Sequence, residues 1–222
     1  MSLSDFFKIN EIKYIYSIHL ERDKDRYDGM IENLKYTNLD YEIIDAIDGN
    51  KINHHRKGRG KNPNGMIGCY LSHEKALQRA IDNDKFPCLI IEDDCMLKVP
   101  NPNVDLNLKL PKHIVNLGSR EFKIGSKANY WKNLPKETNI LVELKKDIWT
   151  YCASCIFYPN KDECIKLLDY LKNQKSIYHL DGIIFTKYSI IEKVYATNPN
   201  IFITEENISN NTKKIRKRLK YL

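Results

Sequence analysis

The stretch Leu89-Ile90-Ile91-Glu92-Asp93-Asp94 constrains this chain more than any other. A short apolar run that stops at a polar break reads as a buried strand. Charges at the end of such a strand fall where a parallel sheet opens into its ligand crevice. Three adjacent carboxylates repel one another, so keeping them ionised there calls for a cation. Hard divalent ions take oxygen ligands, and Mg²⁺ or Mn²⁺ typically combines one or two carboxylates with substrate phosphate oxygens. That chemistry suits a nucleotide-activated substrate. The plainer reading of the same triplet is a solvated acidic turn.

The flanking sequence supplies the rest of an α/β pattern. Ile12 to Ile18 mixes β-branched and aromatic residues and predicts a first, central strand. Asp23 to Tyr36 places Tyr27, Met30, Ile31 and Leu34 at helical spacing. Tyr41 to Ala46 predicts a second strand, closed by the turn Asp48-Gly49. Strand, helix, strand in that order predicts a right-handed parallel unit. His54 to Gly65 is basic, polar and aperiodic and reads as a mobile loop, after which Gly68 to Asp82 reads as a helix broken by Phe86-Pro87. His113 to Gly118 and Cys152 to Tyr158 read as further strands, and Asp162 to Lys172 as a helix. Gly182 to Tyr188 continues as another helix, with weaker strands at Thr138 to Leu144 and Lys193 to Ala196.

Length and composition bound the function. At 222 residues the chain suits one domain, and a 42% hydrophobic fraction supports a real core. No apolar stretch approaches the roughly 20 residues of a membrane span. Met1 to Leu20 has scattered charges and no apolar block before a small-residue cleavage site, so no leader is expected. Cys152 and Cys155 have CxxC spacing without a second pair to complete a zinc set. The six cysteines therefore read as buried thiols of a reducing compartment, and the expected location is cytoplasmic.

The net charge of +7 is concentrated in two runs. One comprises Lys213, Lys214, Arg216, Lys217, Arg218 and Lys220; the other Arg56, Lys57, Arg59 and Lys61. Without these ten cations the remainder carries −3, so the body is not basic and no nucleic-acid partner is expected. Ile215, Leu219 and Leu222 recur at helical spacing among the tail cations, a pattern suited to peripheral attachment at an anionic membrane surface. A disordered solubilising tail is the alternative.

Four segments carry a resemblance to a known family. Ile18-His19-Leu20-Glu21-Arg22 through Arg26 resembles an opening strand followed by arginines, with His19 where Asn is usual. Ile44-Asp45-Ala46-Ile47-Asp48-Gly49 resembles an Ala-hydrophobic-Asp-Gly turn. Gly65-Met66-Ile67-Gly68-Cys69-Tyr70-Leu71-Ser72-His73 resembles Gly-Glu-Ile-Gly-Cys-x-Leu-Ser-His, with Met66 in place of Glu. Leu89 to Asp94 resembles hydrophobic-Leu-Glu-Asp-Asp. In this order the four resemble glycosyltransferase family 25, which includes lipooligosaccharide and collagen hydroxylysine galactosyltransferases. The likeness covers Ile12 to Leu97 well, and Trp149 to Ile203 more loosely.

The resemblance implies an α/β fold of Rossmann-like, nucleotide-diphospho-sugar type (GT-A), with a mainly parallel central sheet flanked by helices. It implies a glycosyltransferase domain over residues 1–206 with a basic tail over 207–222. It also implies Mn²⁺ or Mg²⁺, a UDP-galactose or UDP-glucose donor, and a glycan or collagen-like acceptor. Glu92 and Asp94, alternate residues of an extended segment, would act together, one on metal or ribose and the other on metal, with Asp93 facing the other way toward backbone or a helix start. His19, Leu20, Arg22, Arg26, Ser72, His73, Glu92 and Asp93 are the donor-binding candidates. Ser72 also fits a helix cap, His73 a hydrogen-bonded core residue, and Arg22 and Arg26 a solvated helix start. Gly65 and Gly68 fit a tight turn and close helix packing better than a phosphate cradle. Asp181, as the family's downstream Asp, is the candidate catalytic base or a late metal ligand, with a helix N-cap the alternative; Glu121 and Asp147 compete for the role of base. Trp131 and Trp149 fit either stacking on rings or the core. A weakened nucleotide-sugar-binding module and a metal-dependent phosphoryl-transfer enzyme are the competing functions.

Overall fold

A computed structural model describes residues 1–54, 58, 62–98, 100–101, 104–118, 122–124, 129–130, 140–145, 148–198 and 200–204. The basic tail, Glu121, Trp131 and Asp147 lie outside the described residues, as do the Trp149 side chain and the cations Arg56, Lys57, Arg59 and Lys61. The chain opens with helix α1 (Leu3–Ile9), strand β1 (Tyr14–His19), helix α2 (Lys24–Tyr36) and strand β2 (Asp40–Asp45). The long helix α3 (Pro63–Asn83) then leads to β3 (Cys88–Glu92) and the short β4 (Cys95–Met96). Strands β5 (Ile114–Asn116), β6 (Phe122–Ile124), β7 (Asn129–Tyr130), β8 (Ile140–Glu143), β9 (Ile148–Thr150) and β10 (Cys155–Tyr158) follow. Helix α4 (Lys161–Lys172), the short α5 (Leu180–Gly182), a π turn at Ile183–Lys187, β11 (Val194–Asn198) and β12 (Ile203–Thr204) complete it.

The main sheet has seven strands in the order β2-β1-β3-β10-β5-β11-β8. Neighbours β2, β1 and β3 are parallel, as are β5 and β11. Strand β10 runs antiparallel to both β3 and β5, and β8 antiparallel to β11. The architecture is mixed α/β: five strands share one direction and two oppose it. Two smaller sheets, β12-β4 and β7-β6-β9, stand beside it.

Strands covered on both faces explain the unbroken apolar runs in the sequence. Tyr16, Ile90, Ile156 and Tyr158 point to one face, where Tyr70, Leu77 and Ala80 of α3 and Leu167, Leu168 and Leu171 of α4 meet them. Ile15, Leu89, Ile91, Cys155 and Phe157 point to the other, against Phe6 and Phe7 of α1 and Met30 and Leu34 of α2. This is the period-2 alternation of a strand, with each face given its own helical layer.

Helix α3 begins earlier than the sequence suggests. The Asn62 side chain accepts a hydrogen bond from Gly65 N, and Pro63 occupies the first turn, where its missing N–H costs nothing. At the other end Asp84 adopts a left-handed conformation at φ 53° and closes the helix with its N–H on Ala80 O. Ser72 therefore lies in the helix interior and is not a cap. Leu3–Ile9 was not anticipated, although Ser2 and Asp5 form a reciprocal capping box that marks its start.

Candidate functional site

The carboxyl ends of β2, β1 and β3 open into a cleft bounded by the turn Ala46 to Asn50, the first turns of α3, and Glu92-Asp93-Asp94. Close backbone contact brings the turn and the helix together. A Cβ on Gly68 would sit 2.5 Å from Ile47 O, and one on Gly49 would sit 1.8 Å from Asn64 O, so only glycine allows this approach. Ser72 fastens the same junction: its Oγ donates to Gly68 O at 2.6 Å and accepts from Ile47 N at 2.8 Å.

Strand β3 ends at Glu92, and Asp93 and Asp94 form a turn. The extended alternation expected from sequence stops two residues short of Asp94, and the three carboxylates diverge. Asp93 lies against the cleft wall, accepting from Arg26 Nη1 at 2.9 Å and facing His19 Nδ1 at 2.9 Å. Burial works against the Arg26 charge, but Asp93, with Asp94 and Asp23 beyond it, outweighs that penalty and raises the guanidinium pKa. His19 is buried behind the cleft and packs on Tyr27 with ring centroids 5.3 Å apart. Glu92 is more open, and its Oε1 lies 3.4 Å from His73 Nε2 and 3.5 Å from Cys69 Sγ.

Cys69 and His73 are four residues apart and share a face of α3. The ligand atoms of Cys69, His73 and Glu92 all lie within 4.8 Å of one another, a group able to hold a metal ion. Its donors are mixed, whereas Mn²⁺ and Mg²⁺ favour oxygen. A metal-bound imidazole normally donates its other N–H, yet His73 Nδ1 is buried with no hydrogen-bond partner among the described residues. The hydrogen-bonding reading fits better: Cys69 and His73 aim Glu92 into the cleft. The carboxylates of Glu92 and Asp94 both line the cleft, and oxygen is the donor type a hard ion takes.

Arg22 reaches the rim, where it pairs with Asp48 and lies 3.9 Å from Asp23. Asp48 accepts from Asn50 N and from Arg22, and in that order these bonds hold its carboxyl below the ordinary value. Leu20, Arg22, Arg26, Ser72, His73, Glu92, Asp93 and Asp94 thus share one cleft.

Asp181 lies elsewhere, in a neighbouring cavity of about 490 Å³ that meets the cleft at Cys69 and Glu92. Its Oδ2 accepts from Cys152 N at 3.0 Å and its Oδ1 from Gly182 N at 2.7 Å. His179 occupies the cap position of α5 and makes no side-chain cap bond. Sequence reasoning missed Cys69 as a site residue, although its i, i+4 spacing to His73 was a readable signal. It also missed Tyr178 and Lys187, which line the second cavity from an irregular segment.

Residues 12–181 match the family described as Glycosyltransferase family 25 (LPS biosynthesis protein), and the chain belongs to that family. Procollagen galactosyltransferase 2 of Homo sapiens is 28% identical over 160 residues, 61% of this chain and 25% of that protein. The Mus musculus protein of the same name is 33% identical over 95 residues, 36% of this chain and 15% of the relative. A glycosyltransferase 25 family member of Aedes aegypti is 30% identical over 101 residues, 37% of this chain and 16% of the relative. The chain spans a quarter or less of the length of these curated relatives. Among the described residues no helix is long and apolar enough to cross a membrane.

Proposed function

We propose that the chain is a GT-A-type glycosyltransferase that moves a hexose from a UDP-sugar to an acceptor hydroxyl, with inversion, and that galactose is the favoured sugar. One observation carries this reading: the Glu92-Asp93-Asp94 turn stands at the carboxyl end of β3 inside a cleft. The chain's likeness to procollagen galactosyltransferases favours galactose.

Leu20 and the turn at Ala46 to Asn50 bound the space for the nucleoside, and Arg22 at the rim takes up phosphate charge. Asp93, locked to Arg26, fixes the wall. Glu92 and Asp94 would hold Mn²⁺ or Mg²⁺, which supplies positive charge beside the diphosphate leaving group. In the transfer, the acceptor oxygen forms a bond to the anomeric carbon. The bond from that carbon to the UDP oxygen breaks, UDP leaves with the electron pair, and Asp181 takes the hydroxyl proton.

The test is the melting temperature of the full chain with UDP-galactose or UDP-glucose, each with Mn²⁺ and with a chelator. A ligand that binds only the native state raises apparent stability by mass action. A metal-dependent rise, larger for UDP-galactose, is expected. No rise with either sugar overturns the reading.

A further inference from the structure

The second cavity is not explained by donor chemistry. Its volume of about 490 Å³ falls within the range of small-molecule sites. Because Cys69 and Glu92 line both spaces, a hydroxyl presented from this side reaches the donor sugar across a shared wall. Tyr151 and Tyr178 contribute ring faces, and Thr186 and Asp181 contribute hydrogen-bonding groups. Ring faces beside a few polar groups match a pyranose, which has a C–H face and a hydroxyl edge.

The described lining carries one lysine, Lys187, and two carboxylates, Asp181 and Glu92; of these only Lys187 is exposed, beside His179. Lys187 Nζ stands 4.2 Å from the centroid of the Tyr178 ring, a contact that keeps an ammonium in place at the wall. Among the described residues no carboxylate pairs with it.

We propose that the second cavity is the acceptor subsite and takes a saccharide bearing an anionic group, carboxylate or phosphate, recognised by Lys187. The inference rests on the donor reading above and narrows its acceptor to an acidic glycan. The ammonium of a hydroxylysine would meet Lys187 as a like charge.

The experiment measures binding of four probes to the full chain by ligand-observed NMR titration: methyl glucuronide, glucose 6-phosphate, methyl glucoside and free hydroxylysine. UDP-galactose with Mn²⁺ is titrated in parallel. The glucuronide or the phosphate is expected to bind roughly fivefold tighter than the neutral glucoside, the scale of one exposed ion pair. The two acidic probes separate carboxylate from phosphate recognition. Lys187→Ala should erase the preference, and Lys187→Arg, which keeps the charge, should retain it; circular dichroism checks that both variants fold. Equal binding of acidic and neutral probes, tighter binding of hydroxylysine, or a preference that survives Lys187→Ala overturns the inference. If UDP-galactose binds and no saccharide does, the acceptor assignment fails while the donor reading stands. If UDP-galactose does not bind either, the failure lies in the donor reading.

Discussion

Asp181 Oδ2 holds the backbone N–H of Cys152, a residue in the left-handed region at φ 72°. Two residues on, Ser154 O accepts from Glu92 N at 2.9 Å. A carboxylate of the second cavity is thereby connected through a short strained segment to the acidic end of β3. Asp181 has two roles to separate, a backbone clamp and a proton acceptor. Asp181→Asn keeps an oxygen for Cys152 N but sets an amide NH2 against Gly182 N, and should cost about 1 kcal/mol of stability while transfer falls by about 10² or more. Asp181→Ala removes the clamp as well and should cost about 1–3 kcal/mol in urea unfolding. Full turnover in the Asn variant would assign Asp181 to the clamp alone.

Arg26 and Asp93 form a pair with side chains 12% and 8% exposed. Arg26→Ala leaves a carboxylate in the wall without its guanidinium and should destabilise the fold by about 3 kcal/mol. Arg26→Ala combined with Asp93→Asn should recover part of that loss. A double-mutant cycle in urea measures the coupling.

Gly68→Ala should lower the melting temperature and weaken donor binding together, because the new methyl group meets backbone at Ile47 O and Gly49 N. A cost of about 2 kcal/mol is expected for a clash that side-chain rotation cannot relieve. Gly29→Ala is the control: a Cβ there meets nothing within 4 Å. Equal melting temperatures for the two variants would show that the turn yields freely.

Asp94→Asn should abolish the Mn²⁺ dependence of donor binding while the far-ultraviolet spectrum stays native. Isothermal titration with UDP-galactose, with and without chelator, checks it. Metal-dependent binding that persists in this variant removes Asp94 from the metal site.

Asp48 gives a pH prediction. Its folded carboxyl lies below the unfolded value of about 3.9, so the stability it adds is complete well above that value. That contribution is lost as pH falls through the lower folded value. Asp48→Asn should therefore be less stable than wild type at neutral pH, with the two curves converging in acid. Chemical denaturation at a series of pH values reads the convergence.

Much of this arrangement was legible because apolar runs met charges abruptly. Strand β3 was marked by Leu89 to Ile91 running into Glu92, and β1 by its β-branched and aromatic mixture. The start of α3 was hidden because glycine and proline signal turns locally. Here Pro63 suits a first helical turn, and Gly68 is retained by contact with Gly49, a partner remote in sequence. The partners of Asp93 were hidden for a similar reason: the bend after Glu92 depends on Arg26 and His19 drawing one carboxylate aside. The small sheet of β6, β7 and β9 consists of two- and three-residue strands, too short for any periodicity to register.

The opposed direction of β10 has a temporal consequence. Cys155, its first residue, pairs with Ile91, so β10 comes to lie beside β3 and the mouth of the cleft more than sixty residues later, after β5 and β8. Among the described residues, 18–94 line the first cleft, whereas the second cavity also needs residues 151–187. During synthesis the two halves of the site are therefore completed at different moments. Closure of the later half requires pairing between distant segments, the slow kind of event in folding.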